Sequence, residues 1–456
     1  MSKVLLVHAK GGPPLGHVLS RAAARAEVHL LALSALPPVV AGSARRLCAS
    51  VDTPSDAPSR DLVSLIVSRA RAVGADAVLT FSEYAVVAVA EACEALGLAG
   101  TGRAAALARD KRLMRRTWRE HGLPQPEFRS VATESDLYEA AASLPFPLLL
   151  KAAWSAGSTA HQIIRSPYEV SAAWRRSREV MAESAQLGYA ELHVAEAQGH
   201  YVVEQIVTGT ASEWFDEPGW GDYVSVEGVV ADGTFHPVCL SGRMPTVEPF
   251  TERAGITPAP LSQDAQDRVV ALARQAVDAL GLRDCGTHTE IKLGADGRMW
   301  LIETAARFGG AMTVPQIEDV FGLDLVGMLV DHLLGRPVEW PEHALTPDRA
   351  RGAAGSLVVL AVDGRGEPWH DRKVWDPAAV KDVTLSRGSE LSVVAESSLA
   401  DGEVVPVYDP AAGANTMAGL CLLSATDART VLRDFEALVD ALPRVLPAAR
   451  PEEVSV

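Results

Sequence analysis

Two glutamates at a hairpin spacing carry the first chemical signal in this chain. They lie in the segment GTHTEIKLGADGRMWLIETAARFGG, Gly286 to Gly310. Thr287 to Leu293 alternates side to side, Met299 to Glu303 is a second extended run, and Asp296-Gly297 between them signals a two-residue hairpin turn. A hairpin centred on that dipeptide makes Glu290 and Glu303 directly opposed partners on one face, with Cβ atoms roughly 5 Å apart. Like charges so placed destabilise the sheet unless a cation lies between them. Followed by Arg307 and Gly309-Gly310, the pair points to a Mg²⁺-phosphate site. The alternative is a pair of solvated glutamates on an exposed sheet face.

Upstream, three further points have chemical potential. Lys151 ends the apolar run PLLLKA immediately before a small-residue loop, Trp154 to Thr159, which sets an ammonium beside backbone N–H groups able to cradle phosphate. Asp110-Lys111-Arg112 adds a second basic point. Glu204 ends another apolar run and leads into Gln205-Ile206-Val207-Thr208-Gly209, whose backbone could offer an adenine-like donor and acceptor pair. Each has an ordinary reading in isolation: a solvated strand end, a charged helix, a strand-to-turn transition. Their order along the chain is more informative than any one of them.

The elements that must position these groups follow from periodicity. Lys3 to Val7, Val28 to Leu33 and Ala77 to Thr80 read as strands, alternating with helices at Leu15 to Ala26 and Arg60 to Val73, which predicts a parallel α/β domain. The Gly11-Gly12 loop lacks dinucleotide-site spacing but can line a cleft at a strand's carboxyl end. A helix over Ala104 to His121 ends at Gly122, with Pro124 and Pro126 marking a linker. Strands at Pro147 to Ala152 and His200 to Gln205 flank a helix from Tyr168 to about Ala185. A hairpin, Tyr223 to Val230 and Thr234 to Leu240, precedes a helix over Gln263 to Leu280. Another helix is expected at Phe321 to Leu334, a strand at Ser356 to Val362, and a terminal helix from Ala425 to Leu442 stopped by Pro443.

Length and composition set the bounds. The 456 residues suffice for two to four domains with sizeable cores. No apolar run is long enough to span a bilayer, and Met1-Ser2-Lys3-Val4 leads into a strand rather than a signal peptide, so a cytoplasmic protein without membrane partners is expected. Five scattered cysteines without CxxC spacing indicate neither a disulfide framework nor a zinc site. A net charge of −16 disfavours nucleic-acid binding, leaving any nucleotide to local lysines.

The ordered motifs DKRLM (Asp110 to Met114), LLKAAWSAGS (Leu149 to Ser158), VEQIVTG (Val203 to Gly209), GDYVSVEGVVADG (Gly221 to Gly233), FTERAGITP (Phe250 to Pro258), THTEIKL and LIETAARFGG resemble the ATP-grasp superfamily and, within it, the bacterial L-amino acid (dipeptide) ligases. The resemblance is strongest from Lys151 to Gly322. It implies a multidomain α/β and α+β protein with the ATP-grasp fold: an N-terminal parallel α/β domain (1–105), a helical linker (106–130), a small lid domain (131–205), a large domain with the metal and substrate site (206–336) and a C-terminal α+β subdomain (337–456). It implies ATP as cosubstrate and Mg²⁺, two ions, with Mn²⁺ able to substitute. Lys111 and Lys151 would bind ATP phosphates, Gly157-Ser158 would belong to the loop covering them, and Glu204, Gln205 and Val207 would hold adenine. His288 and Thr289 would flank the nucleotide, and Glu290 and Glu303 would be the metal ligands. Arg307 would act catalytically on the acyl phosphate with Gly309, Gly310 and Ala311 lining the substrate pocket, and Glu252 would receive a substrate ammonium. The implied reaction is peptide-bond formation between two amino acids through an acyl phosphate, releasing ADP and phosphate. A homodimer is a state common in such ligases, and antibiotic biosynthesis suits the Ala/Arg-rich composition.

Three departures stand out. Ala305 replaces an asparagine usual two residues after the second metal glutamate, Gly255 replaces a histidine, and Ala311 replaces a bulky tryptophan, which implies a roomier pocket. A γ-glutamyl-type ligase, a carboxylase-like enzyme and a non-catalytic ATP-binding protein are the competing readings. Lys111, Lys151, Glu290, Glu303 and Arg307 together weigh against the last.

Overall fold

The computed structural model describes residues 1–54, 61–186 and 199–450, arranged in three sheets. The first comprises β1 (Lys3–His8), β2 (Glu27–Ala32), β3 (Cys48–Asp52) and β4 (Ala77–Thr80), all parallel in the order β3-β2-β1-β4. Strands β1, β2 and β4 match the apolar runs of the sequence. The edge strand β3 was not foreseen, because CASVD is partly exposed and carries no apolar run. Behind β1, the Gly11-Gly12 loop turns in the left-handed region, and a Cβ on Gly12 would lie 2.0 Å from Phe81 O, so only glycine fits there.

The expected single helix over Ala104 to His121 is two, Ala104–Arg109 and Lys111–Glu120. Asp110 breaks them: it takes an extended conformation and its carboxylate caps the second helix by accepting from Arg112 N at 2.8 Å. The break puts Lys111 at a helix N-terminus. Beyond it, β5 (Phe128–Val131), β6 (Leu148–Ala152), β7 (Gln162–Ile164) and β8 (Tyr201–Gln205) form an antiparallel sheet in the order β5-β8-β6-β7. Helices Glu134–Ser143 and Val170–Gln186 pack on it, the former opened by a Thr133–Asp136 capping box.

The largest sheet has eight strands in the order β13-β12-β9-β10-β11-β14-β16-β15. They are β9 (Tyr223–Ala231), β10 (Thr234–Arg243), β11 (Ala254–Thr257), β12 (Cys285–Leu293), β13 (Met299–Ala305), β14 (Ala353–Val359), β15 (Glu390–Val393) and β16 (Gly419–Ala425). Residues after 337 thus extend the same sheet that carries the paired glutamates. Helix Gln263–Leu280 packs against β10, β12 and β13 with Val269, Ala273, Ala276 and Val277 buried.

Two helix boundaries differ from expectation. In place of Phe321 to Leu334 there are Thr313–Phe321 and Leu325–Leu333, separated by Gly322 in the left-handed cap conformation. The terminal helix, Ala428–Val445, runs past Pro443. A proline near the end of a helix removes one hydrogen bond, and burial of Leu442 and Leu446 in the core offsets that loss.

Candidate active site

Glu290 and Glu303 are directly opposed in the β12–β13 ladder. The route to that register is not the expected two-residue turn. Gly294 N donates to Arg298 O at 2.8 Å and closes a three-residue loop, Ala295–Gly297, in which Asp296 and Gly297 have φ of 54° and 69°. That loop alone would offset the pairing by one residue. A bulge corrects it: Ile291 faces Leu301 while Glu290 faces Glu303, leaving Ile302 as the additional residue. Both carboxylates remain reachable, with side chains 22% and 24% exposed.

Protein cations stand beside each of them. Lys111 Nζ lies 3.3 Å from Glu303 Oε2 and donates to Ser155 O at 2.6 Å. His288 Nε2 lies 3.4 Å from Glu290 Oε1. Burial would raise the Glu290 carboxyl, but His288, Arg243 and Lys151 overcome it and hold it at about 2. The paired donors are hard carboxylate oxygens, the set Mg²⁺ prefers, so the residues present fit that ion. Ala305, directly opposite His288, supplies no third donor.

Three buried carboxylates, two of them without a role in the sequence reading, organise the surrounding cations. Glu227, fully buried in the middle of β9, is hydrogen-bonded through Oε1 to His288 Nδ1 and accepts Gly309 N at 2.9 Å on Oε2. Burial disfavours a charged imidazole, yet Glu227 and Glu290 outweigh it and push His288 up to about 9. Glu83, just after β4, forms ion pairs with Arg307 Nε at 2.6 Å and with Arg109 Nε at 3.6 Å. Burial would raise its carboxyl, but Arg307, Arg109 and Lys111 together lower it. Glu204 accepts Arg115 Nε at 2.6 Å and Lys151 Nζ at 2.8 Å, and these cations hold it at about 2 against its burial. Glu83, Arg109, Arg115, Glu227 and Arg243 were missed. The available signal was a charge inside an otherwise apolar run, as in YVSVEGVVA.

The structure brings Lys111, Lys151, His288, Glu290 and Glu303 into one cluster, with Arg307 joined to it through Glu83. The Glu204 side chain is consumed by Arg115 and Lys151, and its backbone lies inside the sheet between β5 and β6, where Gln205 N also donates to Glu127 O at 2.9 Å; Val207, beyond the strand, is partly buried. Thr289 points to the opposite face of β12, where its hydroxyl meets that of Thr304 at 3.0 Å. Gly309 is packed so closely that a Cβ would come 2.9 Å from His288 Nδ1 and 3.0 Å from Glu227 Oε1. Gly310 borders the Gly12 loop, and Ala311 follows with φ 51°.

The Gly157-Ser158 loop is clamped from two sides. Ser158 Oγ donates to Phe250 O at 2.9 Å, Ala414 N donates to Gly157 O at 3.1 Å, and Ala160 N donates to Ala411 O at 2.8 Å. Asn415 Nδ2 adds a 3.2 Å bond to Thr159 Oγ1. Gly413 permits this contact, since a Cβ there would meet Gly157 O at 2.7 Å.

Comparison with known proteins fits this geometry. Residues 144–315 match the ATP-grasp domain family. The chain is 35% identical over 295 residues to alanine–anticapsin ligase of Bacillus subtilis, covering 64% of this chain and 61% of that protein. It is 27% identical over 240 residues to D-alanine–D-alanine ligase of Pseudomonas putida (strain GB-1), covering 51% and 66%. The crystal structure of an L-amino acid ligase from Bacillus licheniformis superposes with a TM-score of 0.71 at 18% identity, covering 98% of both chains. The chain thus carries an ATP-grasp domain and has the ATP-grasp fold, while it spans 61% of the length of the curated Bacillus relative it matches. Among the described residues no helix is long and apolar enough to cross a membrane.

Three outcomes follow from the buried charges and the clamp. Glu204→Gln leaves Arg115 and Lys151 partly uncompensated and should cost about 3–5 kcal/mol in denaturant unfolding. The His288 imidazole, observed by NMR, should stay protonated to about pH 9, and Glu227→Gln should move its midpoint down by at least one unit. Because its folded value lies above the unfolded one near 6.5, its stabilising contribution is complete below about pH 6.5 and fades as pH rises through about 9. Gly413→Val should release the clamp, increasing amide exchange across residues 155–160 and costing about 1–3 kcal/mol.

Proposed function

We propose that this chain is an ATP-dependent carboxylate–amine ligase that joins two amino acids through an acyl phosphate, with ADP and phosphate as products. The observation that carries the reading is the Glu290–Glu303 pair, directly opposed and partly open, with Lys111, Lys151 and His288 around it and Arg307 oriented by Glu83. A structural ion-pair network has no need of two opposed carboxylates at a reachable surface. What the printed names of the relatives say supports it: ligases that act on alanine and anticapsin, on D-alanine, and on L-amino acids.

In this reading Lys111 and Lys151 neutralise the phosphates of ATP, and Gly157-Ser158 lie over them with backbone N–H groups available. Glu290 and Glu303 would hold Mg²⁺, whose charge neutralises phosphate oxygens when bound. A substrate carboxylate oxygen attacks the γ-phosphorus, breaking its bond to the β–γ bridging oxygen and releasing ADP. The amine of the second substrate, as its free base, then adds to the acyl carbon; the C–O bond to phosphate breaks, and the proton lost from nitrogen leaves with the phosphate or to solvent. Arg307, held by its ion pair with Glu83 and by Nη1 donating to Phe308 O at 2.8 Å, stabilises the oxyanion of that tetrahedral intermediate, and Gly309 with Gly310 lets substrate approach the backbone closely. No protein nucleophile takes part. The reaction depends on positioning and charge.

Substrate contacts extend the proposal. Glu252, 45% exposed beside the cleft, receives the α-ammonium of one amino acid. Ala311 leaves the pocket open to a large side chain. The number of metal ions, the use of Mn²⁺ and a homodimer are parts of this reading that rest on the family resemblance, and a cytoplasmic location is a part that rests on the sequence pattern alone.

A matrix of amino-acid pairs with ATP and Mg²⁺, read by phosphate release and product mass, tests the function. At least one pair should give a condensed product with one phosphate per bond, and Glu290→Gln or Glu303→Gln should lower the rate at least ~10²-fold. ATP binding with no condensed product from any pair would refute it. Ala311→Trp should exclude large side chains selectively, and retention of activity on them would contradict the pocket assignment.

A further inference from the structure

We infer that Arg243 is a positioning residue for Glu252, and that Gly255 determines substrate specificity by leaving the space in which Arg243 lies. This deepens the ligase reading and rests on its assignment of Glu252 to a substrate ammonium. Arg243 ends β10 and pairs directly with Gly255 of β11. Its side chain is only 4% exposed. Nε donates to Glu252 Oε1 at 3.1 Å, Nη2 to Ser225 Oγ at 2.8 Å and Nη1 to Gly242 O at 3.3 Å. The guanidinium also lies 5.8 Å from the Tyr223 ring centroid, and the Tyr223 hydroxyl donates to the same Glu252 Oε1 at 2.8 Å.

Two donors on one oxygen have a geometric consequence. They fix the Glu252 carboxylate and leave Oε2 without a protein partner among the described residues. A carboxylate otherwise free to rotate thereby presents one oriented acceptor to an ammonium. The arrangement depends on position 255 having no side chain. A Cβ there would lie 3.1 Å from Arg243 Nη1 and 3.4 Å from Cζ, so even alanine crowds the guanidinium and a larger residue must displace it. Displacement would take Nε away from Glu252 and free the carboxylate to swing.

The test compares an α-amino acid with its deamino analogue, the same carboxylate without the ammonium, in calorimetric binding to the protein with Mg²⁺ADP and in ATP turnover. The wild type should prefer the amino acid. Arg243→Met and Gly255→His should raise the dissociation constant and KM for the amino acid about tenfold or more, the weight of a hydrogen bond to a charged group. The KM for ATP should hardly move, and the preference over the deamino analogue should collapse. Arg243→Lys should recover part of it, and Tyr223→Phe should show a smaller loss in the same direction. Wild-type preference retained in Arg243→Met and Tyr223→Phe would overturn the inference, as would a wild type with no preference. If Arg243→Met does not fold, Tyr223→Phe and Gly255→His decide. Selective binding that never leads to a condensed product would instead refute the ligase reading and leave this inference standing.

Discussion

Placing two glutamates face to face on adjacent strands is the constraint around which the rest of this site is arranged. Glu290 and Glu303 repel each other unless positive charge is near, and the fold supplies it from separate parts of the chain. Lys111 comes from the start of a helix, Lys151 from β6 of the second sheet and His288 from the same strand as Glu290. A concentration of cations at one place then needs its own counterions. Glu204, Glu83 and Glu227 provide them, each buried and each paired with groups in different elements. Buried pairs of this kind contribute little net stability, but removal of one member is costly, so they fix geometry more than they strengthen the fold.

The same network joins the three sheets. Glu204 of β8 binds Arg115 of the linking helix, which also donates to Leu301 O in β13 at 3.1 Å. Glu83, beyond the first sheet, binds Arg307 just after β13. The chain after residue 337 adds three strands to the central sheet and returns over the Gly157-Ser158 loop through Ala411, Gly413 and Asn415. The loop expected to cover phosphates is therefore held by both the Phe250 segment and the C-terminal region.

Much of this was legible in the sequence where a pattern is local. Apolar runs located β1, β2, β4 and β6, and the helix over Gln263–Leu280 was found to the residue because its period and both caps agree. The opposition of Glu290 and Glu303 was also expected, although it arises from a three-residue loop and a bulge whose offsets cancel. Long-range pairing was not legible. Glu83 and Glu227 lie far in sequence from Arg307 and His288, Arg243 meets Glu252 of the connection between β10 and β11, and no periodicity reports which buried charge meets which. Thr289 shows the converse limit: adjacent to His288 in sequence, it faces the other side of the sheet because strand side chains alternate.

The departures at Ala305, Gly255 and Ala311 acquire physical meaning only in three dimensions. Ala305 opposes His288, Gly255 pairs with Arg243, and Ala311 follows Gly310 with a φ of 51°. In the proposed reaction the carboxylate pair and its cations serve carboxylate phosphorylation. The most direct test is oxygen transfer from an amino acid labelled with ¹⁸O in its carboxylate, turned over with ATP and a second amino acid. One ¹⁸O should appear in the inorganic phosphate released for each bond formed. Label appearing in AMP, or unlabelled phosphate beside a condensed product, would contradict it.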